Sequence, residues 1–243
     1  MLIQYYADSL GLPRPGHVSI EERYISLLEN WFRKNRTETV FVVDRSRGGS
    51  TIDKLYEVYQ EDEGYFDNIK EKDILIIHEG ICDCAPRPVP LAVRDFISSL
   101  PIFLKVRIIR FIHRNRARLL RNGFAYYLVS KKKFEADLKA WLEKALKRFD
   151  RIYLFTIAPT NDQIEAHSPG LQKSIVAYNE SIKKVVALFN DDRINLIDMH
   201  SVIFQSQYPL DELIIKEDGH HLTALAHQIY AQQIIDREMK IIK

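Results

Sequence analysis

Ser9 and the pair Asp218–His221, at opposite ends of the chain, are the residues whose types and spacing could do covalent chemistry. Ser9 follows the apolar run Leu2-Ile3-Gln4-Tyr5-Tyr6-Ala7 and precedes a loop rich in proline and glycine. A serine in that setting either turns the chain or presents a hydroxyl. Serine is a poor nucleophile until a base removes its proton, and imidazole suits that task near neutral pH. The imidazole in turn needs an acceptor on its other nitrogen. Asp218-Gly219-His220-His221 offers one: Asp218 and His221 lie three apart, and Gly219 permits the tight backbone such a pair requires. His220 is the alternative base.

These residues need a scaffold that brings them together. Short apolar and β-branched runs recur at Leu2–Ala7, Thr39–Asp44, Asp73–His78, Arg151–Ile157 and Ile194–Asp198. Three of them, TVFVVD, DILIIHE and RIYLFTIAP, are almost continuously apolar, as strands covered on both faces are. Between the runs lie amphipathic stretches. Ser19-Ile20-Glu21-Glu22 reads as a capping box opening a helix to about Lys34. Further helices are expected at Ser50–Gln60, Leu91–Leu100, within Ile102–Arg121, and at Lys131–Arg148, Pro169–Phe189 and Leu222–Met239. Five strands alternating with helices predict an α/β protein with a parallel sheet between helical layers. In such sheets reactive groups gather at the carboxyl ends of the strands. Ser9, the turn Arg45–Thr51, the turn Glu79–Asp83 and the Asp218–His221 loop therefore belong on one edge.

Composition bounds the rest. The 243 residues are 46% hydrophobic and 28% charged with a net charge of +2, so bulk charge makes no case for a nucleic-acid partner. No apolar run is long enough to span a membrane, and the opening run is too short for a signal peptide. Cys82 and Cys84 are too close for an ordinary disulfide, and as free thiols they suit a cytoplasmic setting. One domain, 1–243, is expected, with a helical insertion at about 84–130. Within it Lys105–Asn122 is strongly basic: a solvated helix face, or a surface for anionic glycans, nucleotides or lipid headgroups. His78, Asp83, His220 and His221 have no spacing that requires a metal, and no cofactor is expected.

The order Asp8-Ser9-Leu10, then glycine after the second strand, then Gly80-x-x-Asp83, then Asp218-Gly219-His220-His221 resembles the SGNH (GDSL-type) hydrolases across nearly the whole chain. DSLGLPRP and GICDCAPRP are similar to a bacterial branch associated with polysaccharide genes. The resemblance implies a flavodoxin-like three-layer α/β/α sandwich with a five-stranded parallel sheet, and ester hydrolysis through an acyl-enzyme. By matching positions it makes Ser9 the nucleophile, His221 the base and then acid, and Asp218 its orienter. The oxyanion hole would comprise the N–H groups of Ser9 and of Gly49, rather than Gly48, with Cys82 at the third position. Asp8, Gly48 and Arg87 fall in the substrate-binding surround, Asp8 also capping the turn after Ser9. Two positions depart from the pattern. Ala7 stands where the family has glycine, and Cys82 stands where it has an asparagine whose amide donates to the oxyanion. A thiol is a weak donor, so either a backbone N–H or Arg87 compensates, or the enzyme is slow, or it acts on an activated ester, or the site has lost activity.

The expected activity is that of a serine esterase removing an O-acetyl or other acyl group from a carbohydrate or small-molecule ester. An O-acyltransferase with the same triad, and a non-catalytic glycan-binding or assembly module on the same fold, are the alternatives.

Overall fold

The computed structural model describes residues 1–66 and 74–242. In chain order the elements are β1 (Leu2–Ala7), a 3-10 turn (Ser9–Gly11), α1 (Tyr24–Asn35), β2 (Phe41–Asp44), α2 (Ile52–Phe66), β3 (Ile74–His78) and α3 (Ile81–Cys84). There follow α4 (Leu91–Ser99), α5 (Ile102–Arg121), α6 (Lys131–Ala145), β4 (Arg151–Phe155), α7 (Asp162–His167) and α8 (Leu171–Ala187). The chain continues through β5 (Ile194–Ile197), α9 (Met199–Phe204), α10 (Leu210–Leu213) and α11 (Ala224–Ile242). The five strands form one parallel sheet in the order β2-β1-β3-β4-β5. That is the doubly wound arrangement expected from the alternation of runs.

Successive residues of a strand face opposite ways, and β1 carries large rings to both sides. Tyr5 meets Tyr24 of α1 at a centroid distance of 5.2 Å, in a cluster with His78, Phe155 and Tyr230 of α11. Tyr6 points the other way, against Tyr59 of α2 and Trp141 of α6 at 5.7 and 5.5 Å. All of these rings are fully buried. So α1 and α11 cover one face, and α2, α6 and α8 the other. Below the sheet, the carboxylate of Glu238 is fully buried and binds Arg36, Arg151 and the Tyr153 hydroxyl at 3.1, 3.1 and 2.7 Å. It fastens α11 to α1 and β4.

Several boundaries differ from the sequence reading, each for a local reason. The capping box forms, with Ser19 N–H to Glu22 Oε2 at 2.7 Å and Glu22 N–H to Ser19 Oγ at 3.3 Å. It closes a turn, and the helix begins only at Tyr24. β2 is an edge strand whose Phe41 is 63% exposed, so its apolar run is not covered on both faces. β4 stops at Phe155 because Asn179 of α8 pairs with both backbone groups of Ile157, at 2.8 and 2.9 Å. β5 stops at Ile197 because Asp198 caps α9. α8 starts at Leu171, after Gly170 at φ +91°, not at Pro169. Asp73, expected in the third strand, lies outside the described residues. Among the described residues no helix is long and apolar enough to cross a membrane.

Candidate active site

Strand order reverses between β1 and β3, and their carboxyl ends open a crevice there. Asp8 N–H extends the ladder to the His78 carbonyl at 3.0 Å, after which the chain enters the 3-10 turn carrying Ser9. Asp8 itself is fully buried, and its Oδ1 accepts the Leu10 N–H at 2.7 Å. It shapes the Ser9 turn from below, and its burial takes it off the surface of the crevice, against its expected place in the substrate-binding surround.

The loop before α11 delivers the histidine. Both oxygens of Asp218 are used: Oδ1 accepts the N–H groups of His220 and His221 at 3.1 and 3.0 Å, and Oδ2 accepts His221 Nδ1–H at 2.8 Å. With Nδ1 donating, Nε2 carries the lone pair, and it lies 3.1 Å from Ser9 Oγ. His220 is turned away, its Nδ1 bonded to the Asp218 carbonyl at 2.9 Å. Of the two histidines, His221 is the one that meets Ser9. Gly219 sits at φ +75°, and a Cβ there would come within 2.4 Å of Asn161 Oδ1. Asp218, His220 and His221 offer ligating atoms within 4.8 Å of one another, but Nδ1 of His221 and Oδ2 of Asp218 already bind each other.

Gly49 lies at φ +72° in the turn after β2, close to the Cys82 thiol. Gly48 lines a cavity of about 390 Å³ beside it, with Arg47 and Lys54. Burial pushes the Cys82 thiol up to about 12, helped by Asp8 and Asp83 and opposed by Arg87 and the Gly49 N–H. A neutral thiol is not a nucleophile, so Cys82 does not compete with Ser9.

Beneath this edge three buried carboxyl groups gather. Burial raises Asp8 to about 7 and Asp83 to about 6, and holds Glu79 well above the carboxylate range. Glu79 and Asp83 face one another, and each keeps a buried oxygen without a donor. Burial and the neighbouring carboxylates favour a proton on Glu79. The other oxygen of Asp83 accepts the Ile52 N–H at 3.1 Å and ties the β3 turn to the start of α2. Asp83 is thus a brace for the glycine turn.

Arg14 was not foreseen from the sequence, although it lies five residues after Ser9. Its guanidinium lies against His221 Nε2, the atom that also faces Ser9. Burial, His220 and Arg14 together lower the His221 imidazole to about 4, against the opposing pull of Asp218. Asp218 stays below the usual range: burial works against its charge, but the N–H groups and ring it binds outweigh that. A base must be neutral to accept a proton, so activity is lost as pH falls through the base's pKa. The acidic limb of kcat/KM is therefore expected near pH 4 instead of near 6.5, and Arg14→Gln should move it upward. A pH profile of both forms checks this; an unmoved limb would count against the contact.

The chain matches no known family profile and no curated protein sequence. Solved structures do match along nearly its full length. A lipase/acylhydrolase from Enterococcus faecalis is 16% identical, covers 98% of this chain and 95% of its own, and superposes with a TM-score of 0.65. Axe2, an acetylxylan esterase from Geobacillus stearothermophilus, is 18% identical over 97% and 92%, with a TM-score of 0.59. The psychrotrophic esterase EstA from Pseudoalteromonas sp. is 14% identical over 99% and 98%, with a TM-score of 0.58. From its strand order, its helical layers and this end-to-end overlap, the chain has the fold of the SGNH hydrolases.

Proposed function

We propose that the protein is a serine ester hydrolase that removes an acyl group from a carbohydrate-linked ester. The observation that carries the reading is the unbroken line Ser9 Oγ–His221 Nε2–His221 Nδ1–Asp218 Oδ2, at 3.1 and 2.8 Å. The carbohydrate is suggested by the sequence resemblance and by the acetylxylan esterase among the similar folds.

Ser9 Oγ attacks the ester carbonyl while its proton passes to His221 Nε2. Asp218 holds the ring and offsets the imidazolium charge. The carbonyl oxygen, now an oxyanion, is received by the Ser9 and Gly49 N–H groups; among the described residues neither is taken by a protein oxygen. Collapse expels the alcohol, which takes the proton from His221 and leaves Ser9 acylated. Water, deprotonated by the same imidazole, then cleaves the acyl-enzyme and restores Ser9. A sugar hydroxyl in place of that water would give acyl transfer.

Incubation with a fluorophosphonate should place one adduct on the peptide containing Ser9, read by mass spectrometry, and abolish p-nitrophenyl acetate hydrolysis. Unlabelled Ser9 with hydrolysis equal to that of Ser9→Ala would overturn the reading.

Cys82 sets the level of activity. An oxyanion donor is worth roughly 10²–10³ in kcat, and a thiol supplies little of that. Cys82→Asn should therefore raise kcat by roughly 10-fold or more with KM little changed. Steady-state kinetics on one activated ester would reveal it, and an unchanged or lower kcat would show that Cys82 does not occupy the donor position.

A further inference from the structure

A cavity of about 260 Å³ lies between α4, α5 and the segment that follows Cys84. Arg87, Arg94, His113 and Arg116 project into it against a wall that includes Ile109 and Ile112. Its charges are not balanced. Arg116 spends its hydrogen bonds on neutral oxygens, the Pro86 carbonyl at 2.7 Å and Ser168 Oγ at 3.0 Å. Arg87 Nε is buried with no partner. Among the described residues Arg94 has a carboxylate only in its neighbour Asp95, at 3.9 Å on the surface. Asp83, whose charge Arg87 does feel, is committed to the Ile52 N–H and to Glu79. Burial disfavours the charge of Arg87 and of Arg116, and each is next to another arginine that disfavours it further.

Like charges crowded into a partly apolar recess are costly unless something neutralises them. A guanidinium remains charged in proteins, so proton loss is not the remedy. An oxygen-rich anion is, because two or three guanidinium forks suit a carboxylate or phosphate and low polarity strengthens the contact.

The cavity is linked to the candidate active site through Arg87 and Arg116. The Arg87 charge acts on the Cys82 thiol. Arg116 holds Ser168, whose N–H bonds the Ile164 carbonyl, and Ile164 packs against Gly219 beside His221.

We propose that this cavity is a subsite for a carboxylate or phosphate carried by the ester substrate, so that the enzyme acts on acidic rather than neutral sugar esters. The proposal rests on the esterase reading. Matched probes separate the two: the acetate ester of methyl glucoside, of methyl glucuronoside and of methyl glucoside 6-phosphate share one ring and differ at C6. Wild-type kcat/KM should be roughly 10- to 100-fold higher for at least one anionic ester than for the neutral one. The preferred member tells carboxylate from phosphate, and 0.5 M NaCl should shrink the preference. Arg87→Gln with Arg94→Gln should remove it. Arg94→Glu, a change at a side chain 60% exposed and so compatible with folding, should do the same. Hydrolysis of p-nitrophenyl acetate without any anionic preference, or a preference surviving in both variants, overturns the subsite and leaves the esterase standing. If no ester is cleaved, calorimetric titration of the wild type with methyl glucuronoside and methyl glucoside 6-phosphate decides. Binding lost in Arg94→Glu upholds the subsite without the esterase, and no binding overturns it.

Discussion

His221→Ala is expected to lower kcat for p-nitrophenyl acetate by roughly 10⁴- to 10⁶-fold, leaving the fold intact. Among the described residues His221 is the base that meets Ser9 Oγ, and the alanine removes it, while His220 is bonded to the backbone at Asp218. Residues that act as one unit are not additive. The double variant Ser9→Ala, His221→Ala should therefore be no slower than either single one. Asp218→Asn should cost roughly 10⁴-fold, because an amide presents the wrong group to Nδ1 and favours the wrong tautomer. His220→Ala should cost less than about tenfold, as a side chain outside the proton path. Stopped-flow or steady-state kinetics on the wild type and the five variants, Ser9→Ala included, would test this. Full additivity of the Ser9 and His221 losses would show that the two do not share a step.

Gly219→Ala should damage both stability and rate. Its φ of +75° costs a side-chain-bearing residue roughly 1–2 kcal/mol. The new methyl would also lie 2.4 Å from Asn161 Oδ1 and 2.7 Å from Ile164 Cβ, and such crowding adds roughly 1–3 kcal/mol. Asn161 cannot yield freely: its N–H bonds the Gly219 carbonyl at 3.0 Å, its Nδ2 bonds the Lys216 carbonyl at 3.2 Å, and its Oδ1 caps α7. The strain falls on the loop that aims His221. A displacement of about 1 Å there costs roughly 10²-fold in rate, and Tm should fall by roughly 4–20 °C. Gly16→Ala is the control, since Gly16 has φ +82° but no atom within 4 Å of the new methyl. It should lose stability alone. If both variants lose activity alike, the Asn161 clasp does not govern His221.

The proposed nucleophile, base and orienter, Ser9, His221 and Asp218, could be picked out because each is a matter of residue type and position beside a strand or helix end. The sheet was legible because its inner strands are nearly continuous apolar runs. What could not be read were contacts set by two distant segments. Nothing in LPRPG says that the Arg14 side chain folds back onto a ring 207 residues away. Nothing in APRPVP says that Arg87 and Arg116 share a cavity. Asn179, on α8, ends β4 by imitating a strand partner, so neither segment alone marks that boundary. The capping box misled for the opposite reason: its local bonds form as expected, but packing of Tyr24 against Tyr5 and Tyr230 decides where the helix begins.

The separation of Ser9 from His221 by 212 residues, with α11 fastened below through Glu238, has a consequence for how the protein would fail under stress. Segments of a native protein detach at different free energies. Release of α11 alone would withdraw the histidine loop's support while the strands stay paired. Turnover would then vanish at a denaturant concentration where circular dichroism has barely moved, and a Glu238→Gln change would widen that interval. Enzymatic activity would act as a gauge of one helix's docking, ahead of any signal from the sheet.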